Sequence, residues 1–353
     1  MHNILLLSGD GIGPEIMEQA KKVLHHFKDI IHYEEGHIGG IAIDTLGNPF
    51  PEETLNKATK ADAILLGAVG GPKWESLPLA ERPEKGLLAI RKVLGLYANL
   101  RPLDIWQPLV HFSPLKETLL KDVSFVIVRE LTGDLYFGTP RGVEGEPGSR
   151  RAWNTMLYSE TEIRRIAHTA FQLAKKRLCK VCSIDKANVL ECMVLWREVV
   201  SEVQKEYPDV ALSHMYVDNA AMQIIRNPSE FDVMLTPNMF GDILSDEAAV
   251  LAGSLGLLPS ASLGEKHGLY EPIHGSAPDL AGKGLANPIG LLLSIAMMME
   301  LSLNLPKLGN TIRLAVQAVL EDGYRTQDIF SEGMIKVSTD EMGGYIAKRL
   351  TSN

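Results

Sequence analysis

Short apolar runs recur along the chain at Ile4–Leu7, Ala63–Leu66, Phe125–Val128, Val181–Ile184 and Val233–Leu235, and each reads as a short strand. Between many of them the apolar positions fall at helical intervals, as with Ile16, Ala20, Val23, Leu24 and Phe27 on one face. Strands alternating with amphipathic helices predict an α/β fold. Ser338 and Glu341 form a capping box ahead of a final helix that includes Tyr345, Ile346 and Leu350. The longest apolar run, Ile289–Met299, stops at Glu300 and is too short to span a bilayer. There is no internal repeat and no low-complexity tract.

Two glycine-rich stretches break the alternation. The opening Gly9-Asp10-Gly11-Ile12-Gly13-Pro14 nearly matches the dinucleotide fingerprint G-x-G-x-x-G, with proline in the last place. His274-Gly275-Ser276-Ala277-Pro278-Asp279-Leu280-Ala281-Gly282-Lys283-Gly284 is a second candidate nucleotide loop. Its small residues would let backbone N–H groups approach phosphate, and an aspartate can accept from a ribose hydroxyl. Far from the start of the chain, it is not the second half of a simple βαβ unit, which weakens the Rossmann reading. A third unusual segment, Gly138–Ser159, is rich in Gly, Pro and Arg and lacks helical periodicity. It reads as a surface loop, or as an arm that orders against a second subunit.

The chain has 353 residues, room for two domains and a sizeable core. A net charge of −9 argues against general attraction to nucleic acid or an anionic membrane. With no basic segment before the first apolar run, the N-terminus reads as a strand and the chain as cytoplasmic. Cys179, Cys182 and Cys192 are an odd set, consistent with reduced thiols. Cys179 and Cys182 have C-x-x-C spacing, but no second pair completes a zinc site, so they read as packing residues.

Candidate chemistry concentrates in a few places. In Phe240-Gly241-Asp242-Ile243-Leu244-Ser245-Asp246, two aspartates four positions apart share a helix face. Like charges there call for a cation such as Mg2+ or Mn2+, with Asp218 a candidate third ligand; the plain alternative is a solvated acidic face. Arg91, Arg101 and Arg129 could pair with carboxylates or serve only as surface charge. Arg129 stands out because it ends a strand. Lys186 and Tyr136 also follow apolar runs and could be a base and an acid, or a salt-bridging lysine and a core tyrosine.

Taken together, GDGIGPE, GAVGGPKW, VRELTG, YFG, SIDKANVL, YVDNAAM, NMFGDILSDE and HGSAPDLAGKGLANP resemble the β-decarboxylating dehydrogenases, across essentially the whole chain. The resemblance is strongest to the branch acting on 3-isopropylmalate. It implies a two-domain isocitrate/isopropylmalate dehydrogenase-like α/β fold with a mixed twisted sheet, not Rossmann. The opening turn is then structural, and Pro14 suits the start of a helix. Residues 1–101 and 252–353 would form the cofactor-side domain. Residues 102–251 would form a central domain with the dimer interface and an arm at about 138–159, which reverses the surface-loop reading of that segment.

The resemblance further implies NAD-dependent oxidative decarboxylation of 3-isopropylmalate to 4-methyl-2-oxopentanoate and CO2 in leucine biosynthesis. Arg91, Arg101, Arg129 and Asp218 would bind substrate, and Leu87 and Leu88 would receive its isopropyl group, unless they are simply core. Asp218, Asp242 and Asp246 would hold the metal. Tyr136 and Lys186 would be acid and base, with Lys186 and Asp218 supplied by the other subunit of a homodimer. Gly71 to Glu84, and Gly275, Ser276, Ala277, Asp279 and Asn287, would line the cofactor. Asp279 favours NAD, since it would repel a 2′-phosphate. Asp134 stands where the family commonly has glycine, and Ser8 where proline is frequent. Competing readings are a tartrate/malate, homoisocitrate or isocitrate enzyme, a non-catalytic regulatory subunit, or a metal-dependent nucleotide-binding module.

Overall fold

The computed structural model describes residues 1–350. In chain order the first elements are β1 (His2–Gly9), α1 (Gly13–His25), β2 (Ile31–Gly36), α2 (Gly40–Leu46), α3 (Glu52–Ala58), β3 (Ala63–Ala68) and α4 (Glu84–Val93). Then come β4 (Ala98–Asp104), α5 (Glu117–Leu120), β5 (Ser124–Glu130), β6 (Gly142–Glu144), β7 (Arg151–Trp153), α6 (Glu160–Ala174), β8 (Lys180–Asp185) and α7 (Glu191–Gln204). They are followed by β9 (Ala211–Tyr216), α8 (Val217–Arg226), β10 (Val233–Thr236) and α9 (Asn238–Ala249). The chain continues through β11 (Pro259–Leu263), β12 (Gly268–Pro272), α10 (Ile289–Leu301), α11 (Pro306–Glu321) and α12 (Thr339–Leu350).

These elements form two compact units. The first contains Met1–Leu96, Trp106–Ser113 and the chain from Ala252 on; the second contains Tyr97–Ile105 and Pro114–Leu251. The sequence boundary at 101/102 is therefore corrected. β4 pairs antiparallel with β5 along its length, from Ala98↔Glu130 to Asp104↔Ser124, so it stays with the second unit. Trp106–Ser113 belongs with the first, where the Pro108 carbonyl accepts from Arg325 at 3.3 Å.

In the first unit the strand order is β2-β1-β3-β12-β11. β1 runs parallel to β2 and β3, while β11 and β12 form an antiparallel pair. Ile4–Leu7 is buried on both faces, as expected for a parallel strand between neighbours. α1 buries Ile16, Ala20, Val23 and Leu24 but ends at His25, so Phe27 lies beyond it. α10 is buried at every position from Ile289 to Met299, which explains its lack of a polar face. Among the described residues, no helix is long and apolar enough to cross a membrane.

The second unit orders its strands β4-β5-β10-β8-β9, all parallel except β4. Within the segment 138–159, Gly142–Glu144 pairs with Arg151–Trp153 as an exposed hairpin, while Tyr158 near its end is buried. Ser159 caps α6 through a capping box with Glu162.

Candidate active site

The opening turn is held from within. Gly9 and Gly11 have φ of +69° and +57°, and a Cβ on either would sit within 2.0 Å of a backbone oxygen, of Ala68 or Ser276. Only glycine fits there. Buried Asp10 accepts from the amides of Gly40, Ile41 and Gly70 at 2.7–2.8 Å. Desolvation pushes its carboxyl above the usual range, against those hydrogen bonds. The turn thus spends its polar groups on its own neighbours, which explains the failed fingerprint.

The second glycine-rich loop packs on that turn, with the Ser276 carbonyl accepting from Ile12 N at 2.8 Å. The Glu15 carboxylate accepts from Gly282 N at 2.6 Å and Gly284 N at 2.9 Å. Those two amides are therefore taken and are not free to meet a phosphate. Gly275 has open space around it, Ala277 adopts φ +37°, and Asp279 is exposed. Asn287 is buried, donating to Asp328 at 3.0 Å and accepting from Ile289 N. The His274 ring nitrogen Nε2 is buried without a partner, and burial depresses its pKa. Small residues, open space and that orphaned nitrogen suit a nucleotide-type cofactor.

On α4 the two leucines part ways. Leu87 packs on the core around Leu5, Leu7, Ile64 and Ile90. Leu88 lines a cavity of about 280 Å³ with Gly71, Trp74, Leu79, Arg82 and Glu84. Arg91, one turn on, pairs with Glu271 at 2.7 Å. Nothing local signals that partner, 180 positions away in the chain.

In the second unit Arg129, Arg101 and Tyr136 converge on Asp242. Arg129, at the carboxyl end of β5 and only 5% exposed, donates through NH1 to Asp242 Oδ1. Its Nε and NH2 grip Asn238 Oδ1 at 3.0 and 2.8 Å. Arg101 donates to Ser245 at 2.6 Å and Asn99 at 2.8 Å, and lies 3.6 Å from Asp242 and 3.4 Å from Asp246. The Tyr136 hydroxyl donates to Asp242 Oδ2 at 2.9 Å. Burial and that carboxylate raise the Tyr136 pKa, against the pull of Arg129, and keep the phenol protonated.

The paired aspartates thus have their positive charge in two guanidinium groups. Asp218 is not with them: it accepts from Lys186 at 2.5 Å, which lowers its pKa. Lys186 also lies 5.8 Å from the centre of the Tyr216 ring. Among the described residues, no three of His, Cys, Asp and Glu gather to hold a metal ion within one chain. Asp242 and Asp246 are still hard oxygen donors one helical turn apart, and Asp246 is largely exposed. They fit a divalent cation whose remaining ligands come from elsewhere.

Several positioning residues escaped the sequence reading. Ser245 lies three positions after Asp242 and Asn99 two before Arg101, spacings that share a face and could have been used. Asn238, 109 positions from the Arg129 it accepts from, carried no local signal.

A phenol and two guanidiniums thus gather on one carboxylate beyond the end of a parallel strand, the place where open α/β sheets bind their ligands. The chain belongs to the isocitrate/isopropylmalate dehydrogenase family, whose model matches residues 3–346, and is an oxidoreductase of that family. It is 56% identical to a 3-isopropylmalate dehydrogenase of Aquifex aeolicus, covering 99% of this chain and 97% of the relative. It is 58% identical to that of Nitrosomonas europaea, over 99% of each. The crystal structure of isocitrate dehydrogenase from Methylococcus capsulatus superposes with a TM-score of 0.88 at 34% identity, over 99% of both chains.

Proposed function

We propose that the protein catalyses NAD-dependent oxidative decarboxylation of 3-isopropylmalate to 4-methyl-2-oxopentanoate and CO2, a cytoplasmic step of leucine biosynthesis. The observation that carries the reaction class is the joining of Tyr136, Arg129 and Arg101 at Asp242. The substrate is that named for the full-length relatives, and Leu88 supplies an apolar wall for its isopropyl group.

Arg101 and Arg129 exchange their contacts with Asp242 for the substrate carboxylates, and Arg91 adds a third guanidinium. Lys186 of the partner subunit removes the proton of the substrate hydroxyl. Tyr136 delivers a proton to the carbon from which CO2 departs, leaving an electron pair. Asp242 and Asp246 would hold Mg2+ or Mn2+ with Asp218 of a second copy, and Gly71, Glu84, Gly275–Ala277, Asp279 and Asn287 would hold NAD. When bound, the cation supplies charge that acidifies the hydroxyl and polarises the carbonyl, and NAD supplies the hydride acceptor.

The protein works as a homodimer in this reading. Met222 on α8 and Ile243 on α9 each expose more than half their surface, an apolar face suited to a second copy. The test is NADH formation with Mg2+ and a panel of 3-isopropylmalate, isocitrate, homoisocitrate and tartrate. Preference for 3-isopropylmalate supports the assignment; preference for isocitrate overturns it.

A further inference from the structure

Asp134 lies two residues before Tyr136, wholly buried, with φ +73°. This left-handed conformation is one that aspartate tolerates better than most residues, because its short side chain can bond locally. Every polar group of Asp134 is engaged. Its N–H donates to the Leu157 carbonyl at 3.0 Å, and its carbonyl accepts from Phe137 N at 3.2 Å and Gly138 N at 2.9 Å, closing the turn that carries Tyr136. Its Oδ1 accepts from Leu135 N at 2.7 Å and its Oδ2 from Met239 N at 2.8 Å.

Met239 is the second residue of α9, where amides have no partner within the helix and a negative charge meets the positive end of the helix dipole. Asp242 stands one turn further along the same helix. The bond from Tyr136 to Asp242 therefore joins two segments that Asp134 already fastens together. Glycine, expected here from the family resemblance, would satisfy the φ angle but would leave the amides of Leu135 and Met239 to find other acceptors.

We propose that Asp134 is a positioning residue for Tyr136, fixing the turn that carries the phenol against the first turn of α9. This rests on the reading of Tyr136 as the proton donor. Two variants test it: Asp134→Gly keeps the backbone conformation and removes both carboxylate bonds, while Asp134→Asn keeps one acceptor oxygen. Both are assayed per folded molecule with 3-isopropylmalate, in the wild-type and Tyr136→Phe backgrounds.

Loss of positioning should lower kcat of Asp134→Gly about fivefold, the worth of a typical hydrogen bond, with Asp134→Asn between it and the wild type. KM should stay within about twofold. In the Tyr136→Phe background the same change should cost less than about twofold, because the two positions act as one unit. Amide hydrogen exchange at Phe137 and Gly138 should be faster in Asp134→Gly. Equal losses in both backgrounds would overturn the proposal, as would full kcat with unchanged exchange. If the wild type turns over none of the malate panel, the reaction assignment fails, and exchange at Phe137 and Gly138 alone decides the positioning role.

Discussion

The hydroxyl of Tyr136 and the guanidinium of Arg129 meet on the two oxygens of one carboxylate, that of Asp242. The phenol is thereby held as a donor beside a cation that is almost wholly buried. This places the acid of the proposed cycle and a carboxylate-binding arginine on the same helix-borne group. Asp242 is the most informative position to alter.

Asp242→Asn keeps the shape but removes the charge that both partners use. Activity should fall roughly a hundredfold, within the range for losing support of a catalytic proton donor, and half-saturation by Mg2+ should move up about tenfold. Arg129 would also lose its anionic partner, so chemical denaturation should show a loss of about 1–3 kcal/mol. A Mg2+ titration superimposable on the wild type would return Asp242 to a purely structural salt bridge.

Lys186 pairs with Asp218, and Tyr136 with Asp242, as two separate pairs within one chain. If active sites are shared, mixing Lys186→Ala with Tyr136→Phe subunits, each with only a small residual activity, creates heterodimers with one intact site. Activity per heterodimer should recover to about half the wild-type value if the two sites are independent. Verified heterodimers no more active than either parent would show that each chain uses its own lysine.

Glu15 clamps the loop that would line the cofactor, through Gly282 N and Gly284 N. Glu15→Ala should raise KM for NAD about tenfold, equivalent to about 1.4 kcal/mol, with kcat retained at saturating NAD. An unchanged KM for NAD in a folded variant would remove this loop from the cofactor site.

Burial pushes the Cys182 thiol up to about 11. At pH 8 about one thiol in a thousand is then ionised, and the thiolate is the reactive form. A chromogenic disulfide reagent should reach Cys182 only after denaturation. Rapid reaction of Cys182 in the native protein would contradict its reading as a packing residue.

The sequence by itself determined what depends on neighbours along the chain. The strand at Ile4–Leu7, the apolar face of α1 and the Ser338–Glu341 capping box follow from local period and local hydrogen bonding. The pairing of Asp242 with Asp246 was legible for the same reason, since a helix fixes what lies four residues away. Tertiary structure decided which charges meet. Arg91 finds Glu271, Glu15 finds Gly282 and Gly284, and Asp134 reaches Met239, all across separations that no local period encodes. It also folded part of Gly138–Ser159 into a hairpin and left Asp218 with Lys186, not with the other aspartates. Backbone geometry sets the first kind of contact; the second arises only when packing brings distant segments together and buried polar groups must take whichever partners lie within reach.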